Sequence, residues 1–411
     1  MADGGVAGRP GHAAPVVAGD GDVTAALEMF RSLPRYATAR LGGNRGGGIR
    51  LAPLRLVNGA RRSPPGDGWI PVRPRLAGIC GSDLGALSGQ TSLYFSGLVS
   101  MPFIPGHEIV GELLQDADGW LRGQRVVIDP VLPCRARGIE PPCAPCRDGL
   151  FHLCERVTAG HIAPGLQTGY CADTGGGWSE MFFAHLTQLY AVPDDLSDEG
   201  AVLVEPTACA VHAVRRAEIP RDATVVIVGA GTIGLLTLVA ARRLTPAGRI
   251  VVVAKHPRQA EFAHQFGASD VVPVDEALGA IRRISRSFRV APERSAPFLL
   301  GGADIAFECA GSPSSLDLTL RAVRGRGRVV LAAMPPSADL SPAWFREIEI
   351  VGAYSGAGDF EDALSLVSEE RLQDLVAASY RLERWRDALE HAYDGGALGA
   401  AKVVFDLREA M

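Results

Sequence analysis

At 411 residues the chain exceeds what one ordinary hydrophobic core supports, so two domains are expected. Its 41 basic and 46 acidic residues leave a net charge of -5, which excludes the basic footprint of a nucleic-acid or anionic-membrane binder. No apolar run reaches the roughly 18 residues of a membrane-spanning helix, so neither nucleic acid nor membrane is an expected partner.

The first 20 residues are rich in Gly, Ala and Pro and lack a basic start followed by a continuous apolar run. They do not read as a secretory signal. The eight cysteines are therefore expected as thiols and metal ligands in a reducing, cytoplasmic compartment. Residues 1–22 read as a disordered leader. Val23, Ala26, Leu27, Met29, Phe30 and Leu33 have helical spacing, which predicts a short amphipathic helix over 23–33. Glycines at 42–43 and 46–48 break it, and residues 1–48 carry no assigned chemistry.

From about 49 to 192 the pattern is short strands divided by Gly and Pro, at 49–57, 69–76, 108–114, 125–128 and 181–185. Strands of this length and spacing predict a small, largely antiparallel β unit. Two stretches in its loops carry chemistry. Gly78-Ile79-Cys80-Gly81-Ser82-Asp83 puts a thiol in a glycine-rich turn, and Gly106-His107-Glu108 adds an imidazole beside a carboxylate. Cys and His, with one more protein ligand and an open position, are how a catalytic zinc is held. Between them and the next domain, Cys134, Cys143, Cys146 and Cys154 follow the spacing Cys-x8-Cys-x2-Cys-x7-Cys. Four thiolates this close suit a closed, tetrahedral structural zinc that orders a polar loop. Cys171, Cys209 and Cys309 read as small buried hydrophobes, and His212 as structural.

After Pro206 the period changes. Thr224-Val225-Val226-Ile227-Val228 is an apolar, β-branched run of the kind buried on both faces of a parallel sheet. It leads into Gly229-Ala230-Gly231-Thr232-Ile233-Gly234 and a helix. That context makes the glycine pattern a dinucleotide turn, with the pyrophosphate at the helix N-terminus. A second strand follows at 249–254. About 20 residues past the last glycine a carboxylate usually takes the ribose hydroxyl. Here that place holds Ala254, then Lys255, His256, Pro257 and Arg258. The expectation is NADP, with Lys255 and Arg258 on its 2′-phosphate, against the alternative of a solvated basic turn. Further βα units at 271–274, 303–309 and 328–333 bring Ala310 and Ala332 to the cofactor side. Residues 285–300 read as a polar connection, 349–354 as a further strand, and 401–406 as a strand returning to the β unit.

Taken together, these motifs resemble the zinc-dependent medium-chain dehydrogenase/reductases, in particular the sorbitol and threonine dehydrogenase branch. The pieces that match are Gly78–Asp83, the stretch 105–111, the cysteine loop, Val204-Glu205-Pro206 and Gly229–Gly234. The resemblance implies an α/β protein with a GroES-like β-rich catalytic domain (49–206 and 354–411) and a Rossmann domain with a doubly wound parallel sheet (207–353). It implies that Cys80, His107 and either Glu108 or Glu205 hold a catalytic zinc. It also implies that Ser82 hydrogen-bonds the substrate oxygen, that Trp178 lines the substrate pocket, and that the chain is a homodimer or homotetramer paired through 348–354. Gly85 stands where relatives commonly carry a relay histidine. The implied reaction is hydride transfer between a secondary alcohol or polyol, or its ketone, and NAD(P). A reductase with structural zinc alone and a non-catalytic cofactor-binding protein are the alternatives.

Overall fold

The computed structural model describes residues 24–41, 46–58, 63–334 and 337–408. Two sheets organise them. The first has six strands, all paired in parallel, in the spatial order Asp270–Pro273, Arg249–Ala254, Thr224–Val228, Ala303–Glu308, Val323–Leu331, Glu349–Gly352. The chain enters at the centre, builds outward to one edge, then crosses to the other side, which is the doubly wound order with its switch point between Thr224–Val228 and Ala303–Glu308. The apolar run of that first strand explains its place. Val225 and Ile227 enter the core beneath the helices Val204–Ala217 and Thr232–Leu244. Val226 and Val228 enter the opposite core, with Ile281, Leu316 and Leu320.

The second sheet is mostly antiparallel. Its axis is Trp69–Gly78, flanked by Ile109–Leu113 and Arg125–Ile128 on one side and by Lys402–Asp406 on the other. Phe182–His185 pairs with the first half of the axial strand. Lys402–Asp406 therefore closes the chain back onto the β unit, its Val404 opposite Gly78. None of the described helices is long and apolar enough to cross a membrane.

Three local expectations are corrected. Residues 1–23 and 42–45 lie outside the described residues, but no helix spans 24–32. Ala25–Met29 is a strand, antiparallel to Leu54–Asn58. Its other edge is used as well: Leu27 N–H bonds the Trp178 carbonyl at 2.9 Å, and Met29 N–H bonds that of Phe103 at 2.8 Å. A short strand held between two layers buries Ala26, Leu27 and Met29 together, and this imitates helical spacing. The helix comes later, at Leu33–Leu41. The strand expected over 49–57 is a 3-10 turn, Gly46–Leu51, followed by Leu54–Asn58. The 285–300 connection contains a hairpin, Phe288–Val290 against Phe298–Leu300, pinned by Arg346, which donates to the Leu299 and Val323 carbonyls.

Candidate metal and nucleotide sites

All four loop cysteines converge, Cys134 included. Their sulfurs lie within 4.8 Å of one another, and all four residues are buried. Cys134 Sγ is 3.7 Å from Cys154 Sγ, and Cys143 Sγ is 3.9 Å from it. Tetrahedral zinc–sulfur bonds of about 2.3 Å would set such separations at about 3.8 Å, so the donor set fits a closed zinc. Burial pushes Cys154 up to about 11 and Cys146 higher still. Burial opposes ionisation of Cys143 too, but the N–H groups of Cys146 and Glu155 bring it down to about 7. Four thiolates in so small a volume need a cation to coexist. Beside them lies Arg137, fully buried, donating to the carbonyls of Leu132, Ala159, Ile162, Ala163 and Gly165. It pins the lobe and sets a positive charge against the thiols of Cys134, Cys154 and Cys171.

The second constellation forms where the axial strand ends. Cys80 caps the helix Gly81–Leu87, and the Asp83 carboxylate reaches back to accept the Cys80 N–H at 3.1 Å. The same carboxylate faces His107 Nδ1 at 3.5 Å, a distance for charge attraction rather than a hydrogen bond. His107 Nδ1 is buried with no hydrogen-bond partner among the described residues. Burial disfavours its charged form, yet Asp83 and the Cys80 thiol beside it lift its pKa well above the usual histidine value. Glu205, in the first turn of Val204–Ala217, is 8% exposed. Burial raises its carboxyl to about 7, a rise that His107 opposes and Glu108 reinforces. A soft sulfur, an imidazole nitrogen without a partner and a buried carboxylate are a fitting donor set for zinc with an open position. Their ligand atoms are more spread than those of the four cysteines, which form the only group of three or more drawn within 4.8 Å among the described residues.

Glu108 is engaged elsewhere. Lys402 Nζ reaches its two carboxylate oxygens at 2.7 and 2.6 Å, with both side chains buried. Burial works against the Lys402 charge, but Glu108 foremost, then Cys80 and Glu205, hold its pKa above the ordinary lysine value. The glycines of the two motifs follow from this packing. A Cβ on Gly78 would stand 1.9 Å from Glu108 Oε2, and one on Gly106, at φ +96°, would stand 2.4 Å from the Trp178 ring. Trp178 itself is fully buried, its indole N–H bonded to the Gly78 carbonyl at 3.2 Å and its ring edge-on to Phe405. It supports the ligand loop from below instead of lining a pocket, which corrects the expectation for that residue.

Four residues that the motifs did not single out join the constellation. Lys402 is one. Cys209, one helical turn after Glu205, sets its sulfur 3.5 Å from Glu205 Oε1. Tyr354, 46% exposed, brings a hydroxyl within the field of His107, Cys209 and Glu205. Tyr170 donates to Asp83 Oδ1 at 3.1 Å, and its ring tilts against His107 at 5.8 Å between centroids. Burial lifts its phenol well above the usual range and the Asp83 charge adds to this.

In the nucleotide half the three glycines have three separate reasons. Gly229 turns at φ +102°, Gly231 faces open space at the N-cap of Thr232–Leu244, and a Cβ on Gly234 would stand 1.8 Å from the Gly229 carbonyl oxygen. The turn thus leaves room for a pyrophosphate at a helix N-terminus. Ala310 packs on Gly229 across the switch point, in a loop organised by Glu308. That buried carboxylate accepts from the N–H groups of Ala310 and Gly311 and, at 2.6 Å, from Ser315 Oγ. Ala332 N–H bonds the Glu308 carbonyl at 3.0 Å. Lys255 is exposed at the end of Arg249–Ala254, while Arg258 pairs with Glu261 and lies over the Phe262 ring at 4.3 Å.

Two family models match the chain: the alcohol dehydrogenase GroES-like domain over residues 66–194 and the zinc-binding dehydrogenase over residues 232–369. An L-idonate 5-dehydrogenase of Vitis vinifera is 28% identical over 349 residues, covering 82% of this chain and 88% of that protein. A sorbitol dehydrogenase of Bacillus subtilis is 28% identical over 333 residues, covering 78% and 85%. The chain belongs to the zinc-dependent medium-chain dehydrogenase/reductases. Among solved members of similar fold, a Sinorhizobium meliloti 1021 structure described as a zinc-binding dehydrogenase bound to NADP superposes with TM-score 0.70 at 22% identity, covering 94% of this chain and 99% of that one. The strand–helix arm of residues 25–41 lies outside both matched models. The helix that begins at Cys80 carries glycine at 85, where a Cβ would stand 3.2 Å from Thr91 Oγ1.

Proposed function

We propose that the chain is a zinc-dependent oxidoreductase that moves a hydride between a secondary alcohol or polyol, or its ketone, and NAD(P). The observation that carries the reading is a link through two consecutive residues. The Ala401 carbonyl accepts Thr232 Oγ1 of the nucleotide turn at 2.5 Å, and the next side chain, Lys402, holds Glu108 beside Cys80 and His107. The glycine turn and the metal-ligand constellation are thereby fixed to one strand, as hydride transfer between bound partners requires. Cys80, His107 and Glu205 would hold the catalytic zinc, and Glu108, neutralised by Lys402, would stand behind it. When bound, that zinc supplies Lewis-acid polarisation of the substrate oxygen. Ser82, exposed at the first turn of its helix, hydrogen-bonds that oxygen.

The test combines metal analysis with a cofactor-coupled screen of polyols, amino alcohols and ketones. About two zinc per chain and turnover of a secondary alcohol are expected. Glu205→Ala should lose one zinc and about a thousandfold in kcat/KM, the scale of several kcal/mol of charge stabilisation. One zinc, retained in Cys80→Ala at an unchanged rate, would instead mark a reductase whose only zinc is structural. Cofactor binding without turnover of any alcohol or ketone would mark a non-catalytic protein.

NADP is the cofactor the site favours, because no carboxylate ends the strand Arg249–Ala254 and Lys255 and Arg258 follow it. Lys255→Ala should reduce the NADP-over-NAD preference by about tenfold to a hundredfold, the value of one charge-assisted bond to a phosphate. A wild-type preference for NAD would refute the assignment. Self-association is proposed through the unpaired edge Glu349–Gly352, near which Trp344, Phe345 and Ile350 are exposed. A cytoplasmic location accords with eight cysteines of which none is in a disulfide.

A further inference from the structure

We propose that Tyr170 is a positioning residue for the catalytic-zinc ligands, fixing the Asp83 carboxylate that ties Cys80 to His107. The proposal rests on the catalytic-zinc reading above. Tyr170 lies in no recognisable motif, on the stretch between the cysteine lobe and the strand Phe182–His185. Backbone packing brings it to the ligand loops. Gly169, just before it, lies at φ +87°, and a Cβ there would stand 2.9 Å from the carbonyl oxygen of Gly106, just before His107. The Tyr170 ring packs on Phe103, at 5.3 Å, and on His107, at 5.8 Å between centroids. Phe103 is itself fixed by the N-terminal strand, exchanging both backbone hydrogen bonds with Met29.

Cys80 and His107 stand on separate loops, and the buried Asp83 side chain spans them. Its Oδ2 accepts the Cys80 N–H at 3.1 Å, and its Oδ1 faces His107 Nδ1 at 3.5 Å. Attraction across 3.5 Å has little directional preference, so it does not by itself hold Oδ1 on the imidazole. The last torsion of an aspartate is broad, and one bond at Oδ2 leaves the carboxylate plane free to turn. Tyr170 supplies the second restraint. An ionised carboxylate only accepts, so the 3.1 Å contact between Tyr170 Oη and Asp83 Oδ1 uses the phenol proton. With both oxygens bonded the plane is set, and Oδ1 stays against His107. Outer groups that orient ligands before the metal arrives strengthen its binding. Tyr170 thus acts on the zinc through Asp83, without touching the metal.

Tyr170→Phe keeps the ring contacts with Phe103 and His107 and removes only the hydroxyl. The test is zinc release from the zinc-replete full-length protein into an excess of a chromogenic chelator. The phase missing in Cys80→Ala belongs to the catalytic zinc, and the cysteine-lobe zinc serves as an internal control. In Tyr170→Phe the catalytic zinc should leave about tenfold to a hundredfold faster, the range for losing an outer partner of a metal ligand. Release from the cysteine lobe should change by less than about twofold, whereas a general loosening of the fold would speed both phases. If Tyr170 acts through Asp83, Asp83→Ala/Tyr170→Phe should release zinc no faster than Asp83→Ala alone. Wild-type release rates in Tyr170→Phe, equal acceleration of both phases, or effects that multiply in the double variant would overturn the proposal while leaving the oxidoreductase reading intact. A wild-type protein with one zinc, retained in Cys80→Ala, would remove both.

Discussion

Cys146→Ser should lower the zinc content from about two to about one per chain and loosen the lobe built on the four cysteines. A structural zinc contributes apparent binding energies of about 10–16 kcal/mol, and that energy is folding energy for a loop with no core of its own. The lobe's sulfurs form their own cluster, with only Ile139 and Val157 packed against it. Without a cation nothing balances the remaining thiolates except Arg137, whose guanidinium is already spent on five carbonyls. We therefore expect a loss of more than about 4 kcal/mol, read as a fall in Tm of roughly 10 °C, and new proteolytic cleavage between 134 and 170. Acid should act in the same sense, because thiolate ligands must be reprotonated as zinc leaves, so release increases as pH falls. Activity should fall as well, since the lobe leads directly into Tyr170 and the ligand-supporting Trp178. Two zinc per chain and a wild-type melting curve in Cys146→Ser would show that the cluster is a thiol core and not a metal site.

What the sequence disclosed was chemistry written at short range. The glycine turn after an apolar strand and the four cysteines are legible because spacing alone decides what such residues do. The ligand motif at Cys80 was legible in part, but its partners were not. Lys402 meets Glu108 across 294 residues and Tyr170 meets Asp83 across 87, separations that no local pattern encodes. The N-terminal strand was misread because burial on both faces removes the alternation that marks a half-exposed strand. Trp178 was placed beside the pocket by the family resemblance, whereas Gly106 at positive φ lets it pack beneath the loop of Cys80 and His107. One compositional oddity gains meaning from the fold. Only two lysines occur in the chain, one directly after the strand Arg249–Ala254 and the other against Glu108. Against Glu108, in a buried setting, a compact point charge suits the space better than the broad planar fork of arginine.

The second of those lysines should be the more costly to lose. Lys402→Met is expected to destabilise the protein by about 3–5 kcal/mol, because it strands the Glu108 carboxylate in a buried setting with its counter-charge gone. The same change should alter the metal site. A Glu108 carboxylate released from Lys402 lies beside Cys80 and His107, where a fourth protein ligand would close the position that substrate needs. Zinc content should therefore stay near two per chain while kcat falls by about a hundredfold, the upper range for losing a partner that orients a metal site. Lys402→Met/Glu108→Gln separates the two effects. With both charges removed the desolvation penalty goes as well, so most of the lost stability should return. The pH dependence has a definite sign. Lys402 has its folded pKa raised above the unfolded value of about 10.4, so its contribution is complete below that value and is lost only as pH rises through the folded one. Between pH 6 and 9 wild-type Lys402 should accordingly keep its charge, and the protein its advantage over Lys402→Met. A stability difference below about 1 kcal/mol in that range would mean that the pair is not the anchor joining the nucleotide turn to the metal ligands.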